Sequence, residues 1–135
     1  MPETSRDFQH AAAQRLATAQ FLLDNGYNLD AMYLAGYAVE CNLKALTLEL
    51  TPGPLKAHRL LKICRGSHMH NPEILGGILD GELGCPVPPD LFRKLCRSGW
   101  STALRYEYGR QDTGHARGFL RTTEEVYKWV KGQLP

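Results

Sequence analysis

The chain lacks the features that would assign it to a class at once. It has no run of about 20 apolar residues, the length that a membrane-spanning helix needs. Its first seven residues contain no apolar segment typical of a signal peptide. None of its four cysteines forms a Cys-x-x-Cys pair, and its formal net charge of +2 is too small to indicate a nucleic-acid partner by itself. We therefore expect a cytoplasmic protein with reduced thiols and no membrane association.

The composition that remains is typical of a globular protein, with 43% hydrophobic and 22% charged residues. A length of 135 residues predicts one domain over residues 1–135. No segment alternates apolar and polar residues as a strand does, whereas several repeat apolar residues at spacings of three and four. The sequence therefore predicts an all-α fold.

The segment 31–46 predicts a central, buried helix. Nine apolar or small residues run without a break from Ala31 to Val39, and a helix that is apolar all round must be covered on several faces. Glu40 and Lys44 follow, four residues apart on one face of that helix. We expect them to anchor a structural polar network, with His58 as a further member.

The other helices are predicted from apolar spacing and from capping residues. The first covers about 5 to 25 with Ser5 as its N-cap, and the second starts at Asn28 or Asp30 and stops before Thr51. A third covers 55 to 65 with Leu60, Leu61 and Ile63 facing inward, and a short fourth covers 72 to 79. A fifth is capped by Asp90 and runs to about 104–106 with a weak point at 98–99, and the last is capped by Asp112 or Thr113 and runs to about 131. The prediction is an antiparallel up-and-down bundle of four main helices plus one or two short ones.

Four sequence elements follow one another along nearly the whole chain. They are a leading amphipathic helix with the stretch 11–17 and the ending Gly26-Tyr27, the segment 31–46, the motif His58-Arg59-Leu60-Leu61, and Leu104-Arg105-Tyr106 before a final helix that ends Val126-Tyr127-Lys128-Trp129-Val130. In this order they resemble the HEPN domain, a family named for higher eukaryotes and prokaryotes nucleotide-binding.

The resemblance implies an antiparallel bundle that is commonly a homodimer. It also implies frequent pairing with a small nucleotidyltransferase, often as a toxin–antitoxin couple. We therefore expect a nucleotide- or RNA-associated binding module that needs no cofactor. A non-catalytic oligomerisation module without a ligand is an alternative, because a helical bundle by itself specifies no chemistry.

A second alternative is a metal-independent endoribonuclease. Many HEPN proteins use an Arg-x(4–6)-His motif, and Arg110 and His115 fit it with four residues between them. The imidazole would transfer protons and the guanidinium would stabilise phosphate charge. Arg65 and His70 match the same spacing, but the family places its motif toward the last helices. Arg117 stands where family toxins controlled by a nucleotidyltransferase often carry a tyrosine.

Four further residues are candidates for nucleotide or RNA binding, because cations and aromatic rings together bind phosphates and stack bases. They are Arg105, Tyr106, Arg117 and Arg121. The alternative for Arg105 is a structural salt bridge inside the bundle, with Glu40 as its partner and Tyr106 packed nearby.

A short span also carries three side chains that can bind metals, Cys64, His68 and His70. A structural zinc site needs four ligands, and no fourth is evident in the sequence. We therefore predict no metal site.

Overall fold

The computed structural model describes residues 2–65, 67–109 and 111–135. Six α-helices occur in these residues: α1 (Ser5–Asp24), α2 (Asn28–Leu50), α3 (Lys56–Cys64), α4 (Pro72–Gly81), α5 (Pro89–Arg97) and α6 (Thr113–Gln133). The described residues contain no strand, so the all-α fold class is confirmed. In the same residues, no helix combines the length and the apolar character needed to cross a membrane.

Helix α2 is the centre of the bundle, with α1, α4 and α6 packed around it. Fourteen of its 23 residues are buried, including almost every position from 38 to 48. The predicted central helix is therefore present. Its burial on several faces explains why the segment needs so few polar side chains.

Three apolar clusters include residues of α2, and the two larger ones divide most of its length. Val39, Leu43 and Leu46 pack with side chains from α4, α5 and α6. Ala31, Met32 and Ala35 pack with Ala19 of α1 and with the start of α6, and the cluster consists of Ala19, Ala31, Met32, Ala35, Ala116, Phe119 and Leu120. The small residues at this second end of α2 let its neighbours approach closely.

The N-cap of helix α1 lies one residue earlier than predicted. The N-cap is Thr4, whose side chain accepts from the Asp7 amide while the Asp7 carboxylate accepts from the Thr4 amide. Hydrogen bonds from the Glu3 amide and then from Thr4 lower the pKa of Asp7. Ser5 was predicted as the cap, but it lies inside the helix, buried, and its hydroxyl donates to the Ala45 carbonyl at 2.8 Å. Ser5 therefore joins α1 to α2.

The start of α2 also differs from the prediction. Its N-cap position is Tyr27, and no side chain caps it, so the prediction of a cap at Asn28 or Asp30 is wrong. The side-chain amide of Asn28 donates instead to the Gln111 carbonyl and to the Thr113 hydroxyl, both at 3.0 Å. This side chain ties the beginning of α2 to the beginning of α6.

Helix α5 ends at Arg97, well before the predicted 104–106. Gly99 adopts φ +72°, which a continuing helix does not allow, and a separate 3₁₀ helix covers Thr102–Tyr106. Asp90 was predicted as the cap, but it lies in the first turn and the N-cap position is Pro88. The weak point expected at Ser98-Gly99 is thus a true helix end.

Helix α3 is shorter than predicted at both ends, and only part of its predicted inner face is buried. Ile63 is fully buried and Leu60 is half-buried. Leu61, predicted to face inward, is 54% exposed, because it lies one position after Leu60 and therefore points away from the bundle.

Candidate functional site

A cleft of about 350 Å³ lies between α5 and α6, and we call it the α5–α6 cleft. Its walls combine two cations, an imidazole and apolar or hydroxyl side chains. They include Lys94, Arg97, Ser98, His115, Phe119 and Thr122. The cleft therefore brings His115, which was predicted as a site residue, together with Lys94 and Arg97, which were not.

The position of His115 is set by the first turn of α6. Asp112, one of the two residues predicted as the cap, is the N-cap, and its carboxylate accepts from the His115 amide at 2.9 Å. The side chain of His115 is exposed at the cleft. Because the cap fixes this turn, the imidazole is held at the mouth of the cleft without being buried.

The two cations of the cleft differ in their partners. Lys94 Nζ lies 3.2 Å from both carboxylate oxygens of Glu125, and both side chains are about half exposed. Arg97 forms no ion pair within the part of the chain that the structure describes. Arg97 is thus the cation of the cleft that is available to an anion.

The predicted catalytic residue Arg110 lies outside the described residues. Its pairing with His115 stays a prediction.

Arg117 and Arg121 lie on a different face of α6 from His115. They line a groove of about 170 Å³ between α1 and α6, together with Asp24 and Glu124. Two positions along an α-helix correspond to a rotation of about 200°, so Arg117 points away from a cleft that His115 faces. The structure therefore does not gather these arginines and His115 into one positive surface.

Arg105 and Tyr106 form an exposed pair. The Arg105 guanidinium lies 5.0 Å from the centre of the Tyr106 ring, and Tyr106 is 76% exposed. The alternative salt bridge from Arg105 to Glu40 is absent from the described residues, and Tyr106 is not packed in the bundle. Both side chains face solvent, where a planar ligand could contact them.

Glu40 is the centre of a buried polar network. Lys44 Nζ lies 2.8 Å from Glu40 Oε2, and these two side chains are only 6% and 8% exposed. His70 Nδ1 lies 2.5 Å from the other carboxylate oxygen. His58, predicted as the third member, is instead exposed on α3. The histidine of this network comes from a 3₁₀ turn 30 residues away, which spacing alone could not indicate.

An aromatic layer covers this network. The Tyr37 ring meets those of Tyr33, Trp100 and His70 edge to face, with centroids 5.1, 5.5 and 6.0 Å apart. Burial, followed by the hydrogen bond that the Tyr37 hydroxyl shares with Tyr33, raises the pKa of Tyr37 to about 12. The Tyr37 hydroxyl therefore stays protonated well above neutral pH.

Trp100 is anchored on α2 by the absence of a side chain at Gly36. A Cβ there would collide with the indole ring, so glycine is required for this contact. The indole Nε1 also donates to the Tyr33 carbonyl at 3.2 Å. The chain that follows α5 is thereby fixed against the central helix.

A second cavity of about 230 Å³ lies on the other side of α5, and we call it the Trp100 cavity. Its walls include His70, Glu73, Leu95, Cys96, Trp100 and Thr102. Burial, followed by the neighbouring Glu73 carboxylate, raises the pKa of the Cys96 thiol, so that thiol stays protonated at neutral pH. Of these residues, the sequence analysis considered only His70, as a metal-capable side chain and in the second Arg-x4-His match, and it assigned no ligand to this place.

Comparison with known proteins gives one match. A family model described as HEPN domain covers residues 5–133, nearly the whole chain. No curated protein and no solved structure matches the chain.

Proposed function

The chain belongs to the HEPN domain family, a membership that supports a nucleotide- or RNA-related module, and from this premise we propose that the α5–α6 cleft binds the phosphate backbone of single-stranded RNA. The observation that carries the proposal is the convergence of Lys94, Arg97 and His115 on one cleft. Arginine and lysine provide most of the phosphate contacts in nucleic-acid complexes.

The charges of the cleft agree with this ligand. Arg97 has no carboxylate partner among the described residues, and Lys94 is held only by an exposed pair that a phosphate can displace at small cost. The low net charge of the whole protein does not oppose binding, because affinity for phosphates depends on local cations. Arg105 and Tyr106 offer a separate exposed surface on which a base could stack.

The test is fluorescence anisotropy of a labelled single-stranded RNA against wild type, Arg97→Gln and Arg93→Gln. Both variants lose one positive charge on α5, but Arg93 lies outside the cleft walls and pairs with Asp90. We expect Arg97→Gln to weaken binding several-fold. We also expect the slope of log Kd against log salt concentration to fall by about 1, which corresponds to the loss of one phosphate contact. Equal losses in both variants would contradict a site in the cleft.

A second candidate function, cleavage of the bound RNA, rests on the exposed imidazole of His115 in the cleft. The neutral ring would accept the proton of a ribose 2′-hydroxyl as that oxygen attacks the adjacent phosphorus. The bond from phosphorus to the 5′-oxygen then breaks, this oxygen takes a proton from water, and the imidazolium returns its own proton to the solvent. The products are a 2′,3′-cyclic phosphate and a 5′-hydroxyl.

Metal-free RNA cleavage by wild type and His115→Ala distinguishes the two functions. Cleavage that is lost in a folded variant that still binds RNA would support the enzyme. Cleavage that is equal in both would place the activity elsewhere. Binding without cleavage by either protein would leave a binding module and reject the endoribonuclease.

The resemblance to family members adds two partner proposals, a homodimer and a nucleotidyltransferase in a toxin–antitoxin-like pair. The mass of the purified protein in light scattering tests the first. Co-purification with a nucleotidyltransferase encoded beside it tests the second.

A further inference from the structure

The Trp100 cavity has a chemistry opposite to that of the α5–α6 cleft. No lysine or arginine is among the described residues that line it, and its only charged carboxylate is Glu73. With a volume of about 230 Å³, it is smaller than the range usual for drug-sized ligands, so it fits a compound with a single ring.

The beginning of α4 borders this cavity, but its first amides are not free to bind an anion. Pro72 has no amide hydrogen, and the Glu73 amide already donates to the Asn71 side chain at 2.8 Å. The Ile74 amide donates to the Asn71 carbonyl at 3.2 Å. These amide donors are therefore occupied, and the negative charge of the Glu73 carboxylate beside them repels a phosphate or carboxylate ligand.

The cavity walls instead accept hydrogen bonds and attract positive charge. The Glu40 carboxylate can only accept, so in the neutral ring His70 carries its hydrogen on Nδ1 and presents Nε2 as an acceptor. The Glu73 carboxylate is exposed at the cavity, and the indole of Trp100 attracts cations to its π surface.

We propose that the Trp100 cavity is a binding site for a small, flat organic cation that carries N–H donors, such as an amidine or an aminated heterocycle. His70 and Glu73 accept from the donors, and Trp100 contacts the ring. The buried Glu40–Lys44 pair is the support that holds His70 in its orientation. This site is separate from the RNA-binding cleft and does not depend on it.

The probe is benzamidine, and benzoate is its matched control, because the two share a ring and differ in the sign of their charge. The protein contains two tryptophans, so Trp129→Phe leaves Trp100 as the only reporter of fluorescence. We expect benzamidine to change this fluorescence saturably and benzoate to leave it unchanged. Saturation-transfer NMR of the same compounds with wild-type protein gives the same comparison if Trp129→Phe does not fold.

Two further variants locate the site. Glu73→Gln should weaken benzamidine binding about fivefold, since it removes an exposed charge contact. Asp80→Asn removes a charge from the same helix but outside the cavity walls, and should leave binding unchanged. Equal binding of benzoate, an unchanged affinity of Glu73→Gln, or no response to benzamidine at millimolar concentration would each overturn the proposal.

Discussion

The two sides of α5 are built in different ways. The Trp100 cavity depends on contacts with α2 that are distant in sequence, between Glu40 and His70 and between Gly36 and Trp100. The α5–α6 cleft depends on a local helix cap and on an exposed ion pair between Lys94 and Glu125. Substitutions behind the cavity should therefore change the stability of the fold, whereas substitutions in the cleft should change binding and leave the fold intact.

Lys44→Met should show this difference most strongly. It leaves the Glu40 carboxylate buried with only His70 as a partner, and removing one member of a buried pair costs about 3 kcal/mol of unfolding free energy. Chemical denaturation measures the loss. Arg93→Met breaks an exposed pair and should cost less than about 1 kcal/mol. A similar loss in both variants would show that burial of the pair has no energetic effect.

Gly36→Ala should be the next largest effect. The new methyl group collides with Trp100, so the indole must leave its place, at a cost of about 1–3 kcal/mol. Gly77→Ala is the matched control, because Gly77 lies in α4 with open space around it and should gain up to about 1 kcal/mol of helix propensity. Denaturation curves, together with the emission maximum of Trp100 in the Trp129→Phe background, report both effects. An unshifted emission and unchanged stability in Gly36→Ala would contradict the close packing.

Asp112→Ala removes the cap of α6 and should cost about 1 kcal/mol. Asp112→Asn retains an oxygen that can accept from the His115 amide, so its loss should be smaller. Thermal unfolding followed by circular dichroism compares the two. Identical losses would mean that the charge of Asp112, and not its hydrogen bond, stabilises this helix end.

Glu125→Gln should have the smallest effect on the fold, less than about 0.5 kcal/mol, because its pair with Lys94 is exposed. The same change frees Lys94 at the cleft, so RNA affinity should rise modestly in the anisotropy assay. Glu124→Gln removes a neighbouring charge that faces the α1–α6 groove instead. An equal rise in both variants would indicate a general charge effect.

The sequence was sufficient to predict the helices that are defined by a local cap or by a strongly apolar segment. The apolar run from Ala31 to Val39 predicted the central helix, and the pair Asp112 and Thr113 predicted the start of α6. A buried helix requires apolar residues and a helix start favours a capping side chain, so both can be recognised in the sequence. The end of α5 was harder to predict from the sequence. Its apolar residues continue toward Leu104, and the left-handed backbone of Gly99 together with the extended Ser101 separates two helical segments.

The candidate sites were harder to predict because they depend on packing between distant segments. Glu40 could be matched with Lys44 from spacing, but the choice of His70 over His58 is decided by where a 3₁₀ turn lies against α2. Helical geometry did contain one usable signal. Arg117 follows His115 by two positions, which already indicates opposite faces of α6.

The central position of α2 has a consequence during synthesis. Leu43 and Leu46 pack against Val126 and Val130, which are translated about 80 residues after Leu46. At a ribosomal rate of about 5–20 residues per second, the part of α2 that α6 covers stays exposed for roughly 4–16 seconds. In that interval the nascent chain presents an apolar helix surface that a chaperone can bind, and the emergence of α6 ends the exposure of that surface.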